Sequence, residues 1–155
     1  MVFVLSSETG TALPYEGLLW FYRGWEPFLI GGCQENRGVL QSLGHEVLTS
    51  HLVREDAWEA DRSVAPQEIF ARDMKWLEQC DLFVAEVSGS SFGLGFETGY
   101  LLGATTKRTI LLYQREAERT ISLLITGNTH PNCLLIPYSK LEELEVLVRK
   151  AVPAG

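Results

Sequence analysis

The sequence predicts a doubly wound α/β fold: a mostly parallel, five-stranded sheet in a flavodoxin- or Rossmann-like three-layer sandwich, with residues 1–155 as one domain. Three observations predict it. Short, nearly continuous apolar runs recur, as expected of parallel strands covered on both faces. The stretches between them carry apolar stripes at helical spacing. Strand and helix alternate about five times along 155 residues, a length that suits one domain with its own core.

Val2–Leu5 opens the chain as the first strand. Residues 45–49 (HEVLT) follow a glycine that would end a helix. Residues 82–87 (LFVAEV), 109–113 (TILLY) and 133–137 (CLLIP) repeat the strand pattern. The spacers read as helices. Pro66 suits a first helical position, and Ile69, Phe70, Met74 and Leu77 form one stripe behind it. Residues 95–105 (GFETGYLLGAT) are apolar and small, which predicts close packing on the sheet. Ser139 and Glu142 have the spacing of a capping box, ahead of Leu141, Leu144, Val146 and Val148. The first helix is expected to end at Leu43. Before it runs a long loop rich in aromatics (Tyr15, Trp20, Phe21, Tyr22, Trp25, Phe28), a lid, a binding element or a partner-facing patch.

Composition narrows the function. Net charge is −7, from 13 basic and 20 acidic side chains, and no basic stripe is visible. A nucleic-acid polymer is therefore not the expected partner, although a small anion held by local donors is allowed. Cys33, Cys80 and Cys133 lack a C-x-x-C pairing and read as buried free thiols of a reducing cytoplasm. His45, His51 and His130 are scattered, which predicts no zinc site. No apolar run nears the roughly 20 residues that span a bilayer, and no secretory signal is visible, so neither membrane nor export is expected.

The chemistry concentrates in residues 81–99, DLFVAEVSGSSFGLGFETG. A strand runs through Ser88, Gly89, Ser90 and Ser91 and then Gly93 and Gly95 into a helix. Small residues at that junction let backbone N–H groups face a ligand, and the helix N-terminus favours an anion such as phosphate. A plain tight turn would look the same without Glu97. That carboxylate sits one turn into a helix of small apolar residues, where charge is unfavourable unless paired or used. Asp73, on the preceding helix beside Arg72, is the candidate second carboxylate. Two carboxylates are the recurring equipment for cleaving a glycosidic bond through an oxocarbenium-like transition state.

The run Asp73-x-x-Trp76-Leu77-x-x-Cys80-Asp81-x-x-Val84-Ala85-Glu86-Val87, followed by Ser91-x-Gly93-x-Gly95-x-Glu97-x-Gly99, resembles the nucleoside 2-deoxyribosyltransferase superfamily. Within it the 2′-deoxynucleoside 5′-phosphate N-hydrolase branch is most similar, through GHEVLTSH (residues 44–51), Arg119-Thr-Ile-Ser122 and Thr126-Gly127. Arg54-Glu55-x-Ala57-Trp58 and the long first loop resemble hydroxymethyl-cytidine monophosphate hydrolases. The resemblance spans about residues 44–138. It implies Glu97 as the nucleophile at C1′ and Asp73 as the acid that holds the sugar or assists the departing base. It implies Ser91 and the Gly93 backbone as a phosphate cradle. Ser122 would come from a neighbouring subunit, making a homodimer with a shared active site. Ser6, Arg54 and Arg119 complete the expected phosphate-binding set, with Arg115 as a further cation, and Trp58 and Phe92 are available to stack on a base.

The branch's first loop, Gly-Ser-Ile-Arg-Gly-Gly, is replaced here by Ser6-Ser7-Glu8-Thr9-Gly10; Tyr15, Tyr22 and Arg23 are the nearby residues that could substitute. The expected activity is hydrolysis of a nucleoside 5′-monophosphate to free base and sugar phosphate. A deoxyribosyl transfer between bases and a non-catalytic nucleotide-binding module are the alternatives. Neither a metal nor a redox cofactor is implied, because carboxylates and bound phosphate suffice.

Overall fold

A computed structural model describes residues 2–5, 26–49, 61, 63–89, 91–152 and 154. It is a mixed α/β structure built on a parallel sheet. The elements are β1 (Val2–Leu5), α1 (Glu26–Ser42), β2 (Glu46–Val47), α2 (Pro66–Gln79), β3 (Leu82–Glu86), α3 (Phe92–Ala104), β4 (Arg108–Gln114), α4 (Leu123–Thr126), β5 (Cys133–Tyr138) and α5 (Glu142–Ala151). β3, β4 and β5 form the parallel part of the sheet, with Val84 beside Ile110 and Ile110 beside Leu134.

Alternation across the strands makes two cores. Leu82, Val84, Ile110, Leu112 and Tyr138 face α1 and α5, where they meet Val39, Leu40, Leu144 and Val148. Phe83, Ala85, Val87, Leu111 and Tyr113 face α2 and α3, packing with Leu77 and Leu101. Every residue of β3 is buried. Both faces are dry, which is why the run reads as continuously apolar instead of alternating.

β1 departs from the expected parallel sheet: it runs antiparallel to β3, with Phe3 opposite Phe83, and antiparallel to β2. VFVL is apolar at every position, and such a run carries no pattern that distinguishes one strand direction from the other. β2 has two residues, Glu46 and Val47, where the sequence suggests five. Phe28, assigned to the aromatic loop, lies inside α1; residues 15–25 of that loop lie outside the described residues.

Local chemistry sets the helix ends. Gly44 has φ 92, and the N–H groups of Gly44 and His45 reach the Gln41 and Leu40 carbonyls. This is a Schellman closure, with a conformation that glycine adopts without strain. Pro66 opens α2 as predicted. At its other end the Lys107 ammonium donates to the Leu77 carbonyl at 2.7 Å and also to that of Glu78, both in the last turn. α5 does not form the expected capping box: its N-cap is Leu141, without a side-chain cap, and the Ser139 N–H donates to Glu143 Oε2 at 3.0 Å. Val146 is 54% exposed, so the apolar stripe of α5 is carried by Leu144 and Val148. Among the described residues no helix is long and apolar enough to cross a membrane.

Candidate active site

The carboxyl ends of β3 and β4 place the candidate residues, because in such sheets the loops leaving those ends surround the ligand. β3 ends at Glu86, and the chain turns through Ser88 and Gly89 to Ser91. Ser91 is the N-cap of α3: its hydroxyl accepts the Leu94 N–H at 3.2 Å, and its own backbone is extended. α3 therefore starts at Phe92, three residues earlier than the sequence suggests, and Glu97 falls in its second turn.

Glu97 is buried at 6% exposure. Its Oε2 is fully enclosed, with no hydrogen-bond partner among the described residues. Burial and, secondarily, the nearby negative charge of Asp73 push its carboxyl up to about 8. Asp73, on α2, is raised to about 6, chiefly by burial, with Arg72 pulling it down and Asp61 pushing it up. α2 and α3 bring the two acids together. The same packing sets Phe70 against Phe96, with ring centroids 6.2 Å apart. Phe70 is thus on the helix–helix seam, 58% exposed, and not in the core where its stripe predicted it. Two neighbouring buried carboxyls titrate as a pair, and these values put the loss of its first proton near pH 6 and of its second near 8. A single proton on two carboxyls is what a reaction needs when one group attacks and its neighbour donates.

Asp73 is held by Arg72. The guanidinium donates to Asp73 Oδ1 through Nε at 2.9 Å and lies 3.2 Å from Asp61 Oδ1 through Nη1. It also stacks over Trp76, 4.8 Å from the ring centroid. Nothing in the sequence marks Asp61, because a carboxylate eleven residues from its partner has no helical register to reveal it.

The remaining candidates divide. Gly93 is exposed, and a Cβ there would meet only Ser91 Oγ, at 3.8 Å, so this face of the helix start is open. Ser122 caps α4, its hydroxyl accepting the Leu124 N–H at 3.3 Å. It is exposed, as are Arg115 and Arg119 just ahead of it. These three follow β4 and so share the carboxyl edge with Ser91. Phe92 is fully exposed rather than core. Ser6, Arg54 and Trp58 lie outside the described residues.

Sequence reasoning passes over a second buried carboxylate. Glu86, 5% exposed, points to the α1 side of the sheet. Its Oε1 accepts the Tyr138 hydroxyl at 3.0 Å and also the Ser88 hydroxyl; its Oε2 accepts the Ser88 N–H at 3.1 Å. Ser88 Oγ accepts the Gln114 N–H at 2.8 Å. Gly32 of α1 comes so close that a Cβ would lie 3.2 Å from both Glu86 Cγ and the Tyr138 hydroxyl. The available signal is a lone Glu inside an otherwise apolar strand. Cys33 and Cys80 are buried and Cys133 half-buried, all three as free thiols. No cluster of three His, Cys, Asp or Glu suited to a metal occurs among the described residues.

A parallel α/β sheet with two neighbouring buried carboxyls beside a capped helix start is a class of arrangement that suits glycosyl chemistry on an anionic ligand. The comparisons with known proteins specify the class. The nucleoside 2-deoxyribosyltransferase family model matches residues 32–135, and the chain belongs to that family. A 2′-deoxynucleoside 5′-phosphate N-hydrolase 1 of Thermofilum pendens is 40% identical over 105 residues, 68% of this chain and 72% of that protein. The 5-hydroxymethyl-dUMP N-hydrolase of Esox lucius is 30% identical over 115 residues, 72% of this chain and 78% of its own. The structure of the CMP N-glycosidase of Clostridium botulinum superposes with a TM-score of 0.54 at 25% identity, covering 77% of this chain and 90% of that one.

Proposed function

We propose that the chain is a hydrolase that cleaves the N-glycosidic bond of a nucleoside 5′-monophosphate, releasing the base and a sugar 5-phosphate. The observation that carries this reading is the Glu97–Asp73 pair, two neighbouring acids that are both largely buried and both raised above the ordinary carboxylate range, chiefly by burial. The N-hydrolase and N-glycosidase names of its relatives support the same reaction.

The chemistry follows from the proton count. Glu97 attacks C1′ as a carboxylate while the pair's proton, on Asp73, goes to the departing base. Ligand-free Glu97 is the harder acid to ionise, so substrate binding must move the proton toward Asp73 or the base. Water, deprotonated by the pair, then releases the sugar phosphate and returns Glu97. Ser91, the Gly93 N–H, Ser122 and Arg119 bind the phosphate, together with Ser6 and Arg54. Binding energy gained there, remote from the reacting bond, orients the sugar for attack.

Ser122 serves the site of a second copy in a homodimer. Its exposure supports this, as do Leu123 and Leu124 beside it, at 84% and 85% exposed, more than is usual for an isolated surface. The sheet order β2-β1-β3-β4-β5, the order of flavodoxin-type sheets, supports a five-stranded sandwich of that kind, although β1 runs against its neighbours.

Base release is the test, followed by chromatography over a panel of ribo- and deoxyribonucleoside monophosphates beside their free nucleosides. Release from monophosphates alone is expected. Base exchange between nucleosides would establish a transferase instead, and binding without release would establish a non-catalytic module. Ser122→Ala is expected to raise KM about tenfold for monophosphates and to leave free nucleosides unaffected, the loss of about one charge-assisted hydrogen bond. Equal effects on both would remove Ser122 from the phosphate site.

A further inference from the structure

Adjacent residues of a helix point about 100° apart and do not face each other, so an Arg followed by an Asp forms no ion pair by default. Arg72 and Asp73 do pair. The Arg72 Nε donates to Asp73 Oδ1 at 2.9 Å and Nη2 lies 2.9 Å from the same oxygen. Both contacts converge on Oδ1; among the described residues no hydrogen bond reaches Oδ2. Two further contacts bend the guanidinium back along its helix. Asp61 Oδ1 takes the other edge at 3.2 Å, and the Trp76 ring, one turn on, supports its face at 4.8 Å. All of this is enclosed: the Arg72 side chain is 11% exposed and that of Asp61 is 2%.

We infer that Arg72, templated by Asp61, is the positioning residue of the site: it pins one oxygen of Asp73 and leaves the other oriented toward substrate. This rests on the proposed hydrolase reading and extends it to two residues that touch neither sugar nor base. Asp61 has a second effect. Its charge offsets that of Arg72, so Asp73 is fixed in place without being locked as a permanent anion, and it keeps the ability to carry a proton. A lysine cannot replace Arg72, since one ammonium cannot present a planar fork to two carboxylates at once.

The test uses Arg72→Lys and Asp61→Asn in the full chain, with two readouts. The first is steady-state base release, where each folded variant is expected to lose about 10- to 100-fold in kcat with KM within about twofold, the scale of a misplaced catalytic group. The double variant is expected to fall no further than Arg72→Lys alone, because the two residues act through one contact. The second readout is independent of activity: the pH titration of the Asp73 carboxyl carbon by NMR in the ligand-free protein. Its midpoint is expected to rise in Arg72→Lys, which loses hydrogen bonds that pull it down, and to fall in Asp61→Asn, which loses a charge that pushes it up. General loosening of the fold would move both midpoints in the same direction.

Unchanged kcat in either folded variant, additive losses in the double variant, or midpoints that stay put or move together would each overturn the inference. If Arg72→Lys does not fold, the kcat and midpoint of Asp61→Asn decide alone. A wild-type chain that releases no base refutes the hydrolase reading and not this one, which the titration still decides.

Discussion

Glu86 and Glu97 are both Glu, both nearly sealed from water at 5% and 6% exposure, and lie on opposite faces of the same sheet near the same edge. Glu86 accepts three hydrogen bonds, from two hydroxyls and a backbone N–H. Glu97 accepts none among the described residues, and its Oε2 is enclosed without a partner. Burial raises both carboxyls above their ordinary range, but at Glu86 the Ser88 and Tyr138 donors oppose the rise, whereas at Glu97 the Asp73 charge adds to it. The first arrangement joins β3 to β4 and β5 through Ser88, Gln114 and Tyr138 and is a structural joint. The second holds a carboxyl in an unfavourable environment, as a group reserved for a reaction is held. Burial alone therefore does not tell these two acids apart, and the count of donors does; the proposed function assigns the reaction to the one without donors.

This contrast breaks or sharpens by experiment. The largest expected effect on stability is on the structural side. Glu86→Gln turns an acceptor for three donors into an amide that donates into two hydroxyls, and should lower stability by about 2–3 kcal/mol in urea unfolding, with kcat of the folded fraction retained. Unchanged stability would mean that the Glu86 bonds hold little together.

The next effect has a pH signature. The folded-state carboxyl of Glu97 is raised from 4.5 to about 8 and that of Asp73 from 3.8 to about 6. Folded protein thus binds these protons more tightly than unfolded chain. The contribution is present below the ordinary values and is lost as pH rises through the folded ones, at ~1.4 kcal/mol per unit of difference as a ceiling. Ligand-free wild type should melt several degrees lower at pH 8.5 than at pH 5.5, and Glu97→Gln should flatten that slope. A slope identical to wild type would show that Glu97 is not buried as a strained acid. In turnover the same pair gives a bell: kcat/KM should fall below about pH 6 and above about pH 8, where the pair no longer holds one proton. A flat profile across that window would contradict a shared proton.

The smallest effect tests the tightness of the joint. Gly32→Ala places a methyl 3.2 Å from both Glu86 Cγ and the Tyr138 hydroxyl, in a network with no slack. A loss of about 1 kcal/mol is expected. A neutral or stabilising result would show that the joint can yield.

Much of the fold and of the carboxyl pair is legible in the amino-acid sequence. β3 and β4 announce themselves because both faces are buried, β5 through its apolar run although it is only partly buried, and α2 because Pro66 and its stripe agree. Glu97 stands out as a charge among small apolar residues, and Asp73 as its potential mate. Direction and distance are not encoded in the same way. VFVL has no polarity, so β1 reads as one more parallel strand. Asp61, Tyr138 and Gly32 meet their partners across 11, 52 and 54 residues, and no periodicity encodes such pairs. Phe70 fits a core stripe by spacing, yet the stripe runs out onto the seam with Phe96. Ser139 and Glu142 have the spacing of a cap, yet the N-cap falls two residues later than that spacing implies, at Leu141 with no side-chain cap, and the Ser139 N–H meets Glu143 instead.

The central claim is that the carboxyl without donors is the one that works. Glu97→Gln, measured for base release from a nucleoside monophosphate and for melting at pH 8 in the same preparation, tests it most directly. The expected result is a loss of turnover of at least about a thousandfold with a melting temperature equal to or above wild type, since a neutral amide replaces a buried, unpartnered acid. Turnover within tenfold of wild type would contradict it.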